Sequence, residues 1–80
     1  MRVKLLKKLR SEANSTYKIR VDGYHTPMFK VIAYHKKNSD EVACFPYMKD
    51  AVTTLQHYRN QYMQKRISDM RYNKLLKRFK

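Results

Sequence analysis

Residues 48–62 constrain what this chain can fold into more than any other stretch. At 3.6 residues per turn, Met48, Ala51, Val52, Leu55, Tyr58 and Tyr62 fall on one apolar stripe with polar residues between them. That spacing predicts a helix lying on a core. Pro46 suits its start, because a proline there loses no intrahelical hydrogen bond, and Asp50 sits in the first turn where the helix dipole favours negative charge. No proline or glycine follows, so the helix is expected over residues 47–72. Beyond Tyr62 the apolar positions rotate: Met63, Ile67 and Met70 form a second set, and Tyr72, Leu76 and Phe79 a third. A straight helix to the last residue would have no single apolar face, which predicts a bend, fraying or a separate turn near Asn73 and a basic tail over 73–80.

Something must lie under the first stripe, and the preceding residues supply it. Tyr17, Ile19 and Val21 alternate with Lys18 and Arg20, the period of a half-buried strand. Asp22 and Gly23, the only glycine, supply turn chemistry, and Thr26 and Pro27 extend the loop. Met28 to Tyr34 is a second strand, with Phe29, Val31 and Ala33 toward the helix and Lys30, Ile32 and Tyr34 outward. His35 to Asp40 reads as a polar turn, and Glu41 to Phe45 as a short third strand. At the other end, Val3, Leu6, Leu9 and Ala13 share a helical face while Lys4, Lys7 and Lys8 point away, which predicts an amphipathic helix over 1–14. Ser11 to Thr16 reads as the connection. The fold class expected is α+β, in the order α-β-β-β-α. It forms a single small basic domain over residues 1–80, with the three-stranded antiparallel sheet over 17–45.

Composition then narrows the function. Eighty residues leave too little volume for an enclosed active site, and the 19 Lys and Arg against 6 Asp and Glu give a formal net charge of +13. The charge sits at the two ends: residues 1–10 hold five basic side chains and no acid, and residues 65–80 hold seven with Asp69 alone opposing them. A field of that sign favours polyanions, chiefly DNA or RNA, with an anionic membrane surface or an acidic protein as alternatives. Solubility alone needs a far smaller imbalance. The single Cys44 excludes an internal disulfide and fits a reducing compartment. No apolar run has the length of a membrane span, and the Lys-rich start lacks the apolar centre of a signal peptide. The expected location is cytoplasmic, in a cell or within a virus particle.

The candidate nucleic-acid contacts form two groups. Lys18, Arg20 and Lys30 are expected side by side on the outward sheet face, joined by Tyr34 and flanked by Lys36 and Lys37, with only Glu41 on the strands to oppose them. Cations position phosphates, arginine can read a base edge, and an aromatic ring can stack on an unpaired base. The alternative is a solvated face. The second group braces the phosphate backbone from the ends: Lys4, Lys7 and Lys8, together with Arg2 and Arg10, in the first helix, and Arg59, Lys65, Arg66, Arg71 and Lys74, with Lys77 and Arg78 beyond them, in the last. Met63, Ile67 and Met70 are a flexible apolar stripe that suits either packing on the first helix or pairing with a second copy of the chain.

No catalytic or metal-binding signature accompanies these residues. His25, His35 and His57 are scattered, with no ligand spacing between them, so no cofactor, metal or small-molecule substrate is expected. The order of elements is similar to the double-stranded-RNA-binding fold. Small RNA-cleaving toxins share that fold and carry a catalytic histidine in a strand after a glycine, and Gly23, Tyr24 and His25 echo this arrangement over some ten residues without the tandem histidine. Residues Tyr17 to Tyr62 also resemble, in architecture and basic strand faces, the three-stranded arm-type DNA-binding domains of phage and transposon integrases. That resemblance implies Lys18, Arg20 and Lys30 as major-groove contacts; the leading helix and the extended last helix depart from it. The leading expectation is a non-enzymatic nucleic-acid-binding protein. A phage- or virion-type assembly protein docking on an acidic partner is the alternative, and a histidine-dependent RNase toxin stands third.

Overall fold

The computed structural model describes residues 3–23 and 28–78. Its elements are α1 (Val3–Thr16), β1 (Tyr17–Asp22), β2 (Met28–His35), β3 (Asn38–Phe45) and α2 (Met48–Arg78), so the fold is α+β in the order α-β-β-β-α. The sheet is an antiparallel meander, β1-β2-β3. In register, Tyr17, Ile19 and Val21 stand opposite Ala33, Val31 and Phe29, which puts the alternating apolar residues of both strands on one face.

α2 lies across that face. Its Ala51 and Leu55 meet Val31 in a small core, and Tyr17, Ile19, Phe29, Ala43, Phe45 and Tyr58 pack around it. Of the stripe predicted over 48–62, Ala51 and Leu55 are buried and Tyr58 and Tyr62 half-buried, whereas Met48 and Val52 are exposed. The sheet is only three strands wide, so it covers one sector of the helix and leaves the flanks of the stripe in water. Val3 and Val21, expected on apolar faces, are likewise exposed, each near the end of its element.

The connections are tighter than the polar stretches suggest. Ser11 to Thr16, read as a connection, completes α1, and β1 starts at the next residue. Ser15 Oγ and Thr16 Oγ1 both donate to the Glu12 carbonyl at 2.8 Å, satisfying a carbonyl at the helix end without a loop. The turn read over 35–40 contains only Lys36 and Lys37, since β2 runs on to His35 and β3 begins at Asn38. Lys36 has φ 54°, the left-handed conformation that a two-residue hairpin needs at its first position. Gly23 has φ 106°, in keeping with its turn role. The loop residues Tyr24, His25, Thr26 and Pro27 lie outside the described residues.

β3 carries a bulge. Val31 pairs with Ala43 and Ile32 with Glu41, so Val42 is the extra residue. Regular alternation from Cys44 would put Val42 opposite Ile32; the insertion brings Glu41 there instead and changes the chemistry of the outer face.

Neither fraying nor a separate turn interrupts the helix near Asn73, and it does not end at residue 72. α2 is 31 residues long and continuous to Arg78, about 46 Å at 1.5 Å per residue. With good helix formers and no proline or glycine, the chain keeps its backbone hydrogen bonds and leaves Tyr72, Leu75 and Leu76 exposed. The molecule is therefore elongated, 58 × 25 × 16 Å, with a radius of gyration of 15.9 Å. A compact chain of this length would have about 12 Å.

Candidate nucleic-acid interface

β-sheet register brings the first group of predicted contacts together. Lys18 pairs with Ile32 and Arg20 with Lys30, and Tyr34 lies one step along on the same face. Lys18 Nζ sits 5.8 Å from the centre of the Tyr34 ring, within cation–π range. Arg20 and Lys18 are exposed, as are Lys36 and Lys37 in the turn at one end of the face. Ile32 points to the same side yet is only 7% exposed, covered by the stems of its long polar neighbours.

Lys30 stands apart from the other cations. Its Nζ lies 2.6 Å from an Asp22 carboxylate oxygen and 3.2 Å from one of Glu41. Asp22 belongs to β1 rather than to a turn and takes the diagonal cross-strand position; Glu41 is delivered by the bulge. The face expected to hold one opposing acid thus holds two. Hydrogen bonding to Asp22, then to Glu41, raises the Lys30 pKa, and the Lys30 ammonium lowers that of Asp22. The sheet therefore presents Lys18 and Arg20 as cations without a direct ion pair, Arg20 lying beside the Asp22 carboxylate and a locally neutralised Lys30.

The second group is carried by the helices, in the layer on the other side of the sheet. α1 and α2 run antiparallel: Leu5 lines a groove with Ile67 and Met70, and Ala13 and Asn14 line another with Asn60 and Met63. Lys4, Lys7, Lys8, Lys65, Arg71 and Lys74 are exposed and in no ion pair among the described residues. Arg59 and Arg66 differ from them because both have partners within the fold. Arg59 is half-buried and donates an Nη2 hydrogen bond of 3.1 Å to the Tyr17 carbonyl, where α1 hands over to β1. Arg66 Nη2 lies 3.5 Å from a Glu12 carboxylate oxygen that also accepts from the Tyr62 hydroxyl at 3.2 Å. Burial, then the Glu12 carboxylate, raises the Tyr62 pKa. Tyr17 stacks on Tyr58 at 5.7 Å and meets Tyr62 edge-on at 6.3 Å, so Tyr17, Glu12, Tyr58, Arg59, Tyr62 and Arg66 clamp α1, β1 and α2 together.

The apolar stripe lies along α1. Met63 and Ile67 are half-buried in the grooves against α1, while Met70 is 40% exposed. No helix among the described residues is long and apolar enough to cross a membrane. His35 is exposed at the hairpin end, and His57 is exposed with its ring 6.0 Å from that of Tyr58. His25 lies outside the described residues, and the described ones contain no group of three His, Cys, Asp or Glu placed to hold a metal ion. Sequence reasoning missed Glu12 as the clasp between the helices, Asp22 as a partner of Lys30, and the polar cleft that Arg59 shares with α1. All three depend on long-range or diagonal neighbours that periodicity does not report. The chain matches no family model, no curated protein and no solved structure.

Proposed function

We propose that this chain is a non-enzymatic nucleic-acid-binding protein that holds its ligand mainly through phosphate electrostatics. The observation that carries the reading is the availability of its cations. Lys18, Arg20, Lys36 and Lys37 on the sheet side, and Lys4, Lys7, Lys8, Lys65, Arg71 and Lys74 on the helices, are exposed and in no direct ion pair among the described residues, although Arg20 shares its side of the sheet with Asp22 and Glu41. Solvated cations beside a polyanion release its counterions, which gives affinity without sequence information. Lys30, Arg59 and Arg66 contribute less than the rest, because each already has an internal partner. Tyr34 beside Lys18 offers a ring for an unpaired base.

A titration of labelled duplex DNA, single strands and double-stranded RNA at two salt concentrations tests this reading. With about six phosphates engaged, log affinity against log salt falls with a slope near −5 on duplex DNA. No affinity at near-physiological salt would overturn it.

One observation favours a second reading, an assembly component that docks on an acidic protein. The far end of α2 exposes Met70, Tyr72, Leu75 and Leu76 among Arg71, Lys74, Lys77 and Arg78, a mixed basic and apolar surface. On this reading an acidic amphipathic partner binds the isolated protein more tightly than any nucleic acid does, within a cytoplasm or a virus particle.

A further inference from the structure

Between α1 and α2 lies a cleft of about 340 Å³ whose polar lining is Arg10, Asn14, Gln56, Arg59 and Asn60, floored by Ala13 and Met63. Two arginines and three carboxamide residues line it, and no carboxylate does. The described acid nearest in sequence, Glu12, is engaged with Tyr62 and Arg66. Arg59 is in no ion pair among the described residues; its Nη2 is bound to the Tyr17 carbonyl, and its Nε is buried without a hydrogen-bond partner.

A structural role accounts for part of this. The Tyr17 carbonyl follows directly on α1, and a helix carboxyl end carries about half a negative charge, so Arg59 acts as a cationic cap contributed by another element. Half a charge does not balance two guanidinium groups. A partly buried guanidinium with one N–H unsatisfied is costly, an anion beside its remaining N–H groups offsets that cost, and carboxamide N–H groups beside arginine suit phosphate oxygens. We propose that this cleft is a phosphate seat, in which Arg10 and Arg59 supply the charge and Asn14, Gln56 and Asn60 supply further donors. The seat does not rest on the nucleic-acid reading: a free phosphate group occupies it even if the chain binds no polymer. The phosphate comes from one of two sources, a small phosphate monoester or the phosphodiester backbone of a nucleic acid.

The test follows the Arg59 Nε–H resonance by NMR during titration with inorganic phosphate, with a nucleoside monophosphate and with a short single-stranded oligonucleotide, ionic strength being held with chloride. The expected result is a saturable shift of that resonance by at least one phosphate ligand and none with chloride alone. A response to phosphate or the monophosphate assigns a small-molecule source, and a response confined to the oligonucleotide assigns the polymer backbone. Arg10→Gln, at an exposed position, weakens the responding ligand about tenfold or more, as removal of a charge-assisted hydrogen bond would. Lys49→Gln removes the same charge outside the cleft and leaves the affinity within about twofold. The proposal is overturned if no ligand moves the Arg59 signal, if chloride moves it equally, or if the two variants weaken binding alike. Oligonucleotide binding with the Arg59 signal unmoved by any of the three ligands refutes the seat while sparing the nucleic-acid reading.

Discussion

Leu55→Ala removes the larger of the two buried side chains that α2 sets into the core, and its cost follows from how the site is walled. Leu55 is 7% exposed and packs with Val31 and Ala51, both fully buried. Leucine-to-alanine changes in cores cost about 2–5 kcal/mol, the spread reflecting how far the surroundings collapse into the cavity. Here most of the wall is half-buried: Ile19, Phe29, Phe45 and Tyr58 all have room to relax, which places the cost at about 2–3 kcal/mol. A domain of this size holds about 4–12 kcal/mol in total. The variant therefore stays folded with a transition about 10–20 °C lower. Leu75→Ala is the matched control. Leu75 is 51% exposed, so the same chemical change costs under about 0.5 kcal/mol. Urea titration by far-ultraviolet circular dichroism reads both, with the midpoint moving and the slope unchanged. If Leu75→Ala costs as much as Leu55→Ala, or Leu55→Ala costs under about 1 kcal/mol, the division of α2 into a core half and a solvent half is wrong.

Lys36→Gly stabilises the hairpin by about 1 kcal/mol, because glycine meets no Cβ clash at φ 54°, and a thermal melt will show a higher midpoint. Tyr62 has a raised pKa, so its contribution to stability is fully present below the ordinary tyrosine value of 10.0 and is lost as pH rises through the higher folded value. Tyr62→Phe should flatten that part of the alkaline stability profile, and an unchanged profile would exclude Tyr62 as its source. Asp22→Asn combined with Glu41→Gln frees Lys30 and removes two negative charges from the sheet face, which raises nucleic-acid affinity severalfold at low salt; unchanged affinity in a filter-binding or anisotropy assay would remove that face from the interface.

The order of elements was legible because helical, alternating and again helical spacing follow one another along the chain. Tyr17, Ile19 and Val21 alternate, Leu9 and Ala13 share a helical face, and Ala51, Leu55, Tyr58 and Tyr62 do so again behind Pro46. The ends of elements were less legible. Ser11 to Thr16 looks like a loop by composition, but Ser15 and Thr16 turn their hydroxyls back on the Glu12 carbonyl and the helix continues. Asn73 marked a break in apolar phase, yet solvent tolerates exposed Leu75 and Leu76 more easily than the backbone tolerates a broken helix. The charge at the two ends was plain in the sequence. How it is divided between free and engaged cations was not, since a single inserted residue, Val42, sets which acid faces Lys30.

The clamp around Tyr17 also has a consequence for the order in which the molecule assembles during synthesis. Glu12 and Tyr17 are made early, but their partners Tyr58, Arg59, Tyr62 and Arg66 follow 41 to 54 residues later in the chain. At about 5–20 residues per second, the nascent α1 waits about 2–10 s for the surface it lies on, and longer while α2 clears the ribosome tunnel. During that interval Leu9 and Ala13 lack their α2 cover on a segment studded with lysines. Until α2 closes over Tyr17, the positive charge of α1 stands beside apolar residues that only the finished helix covers.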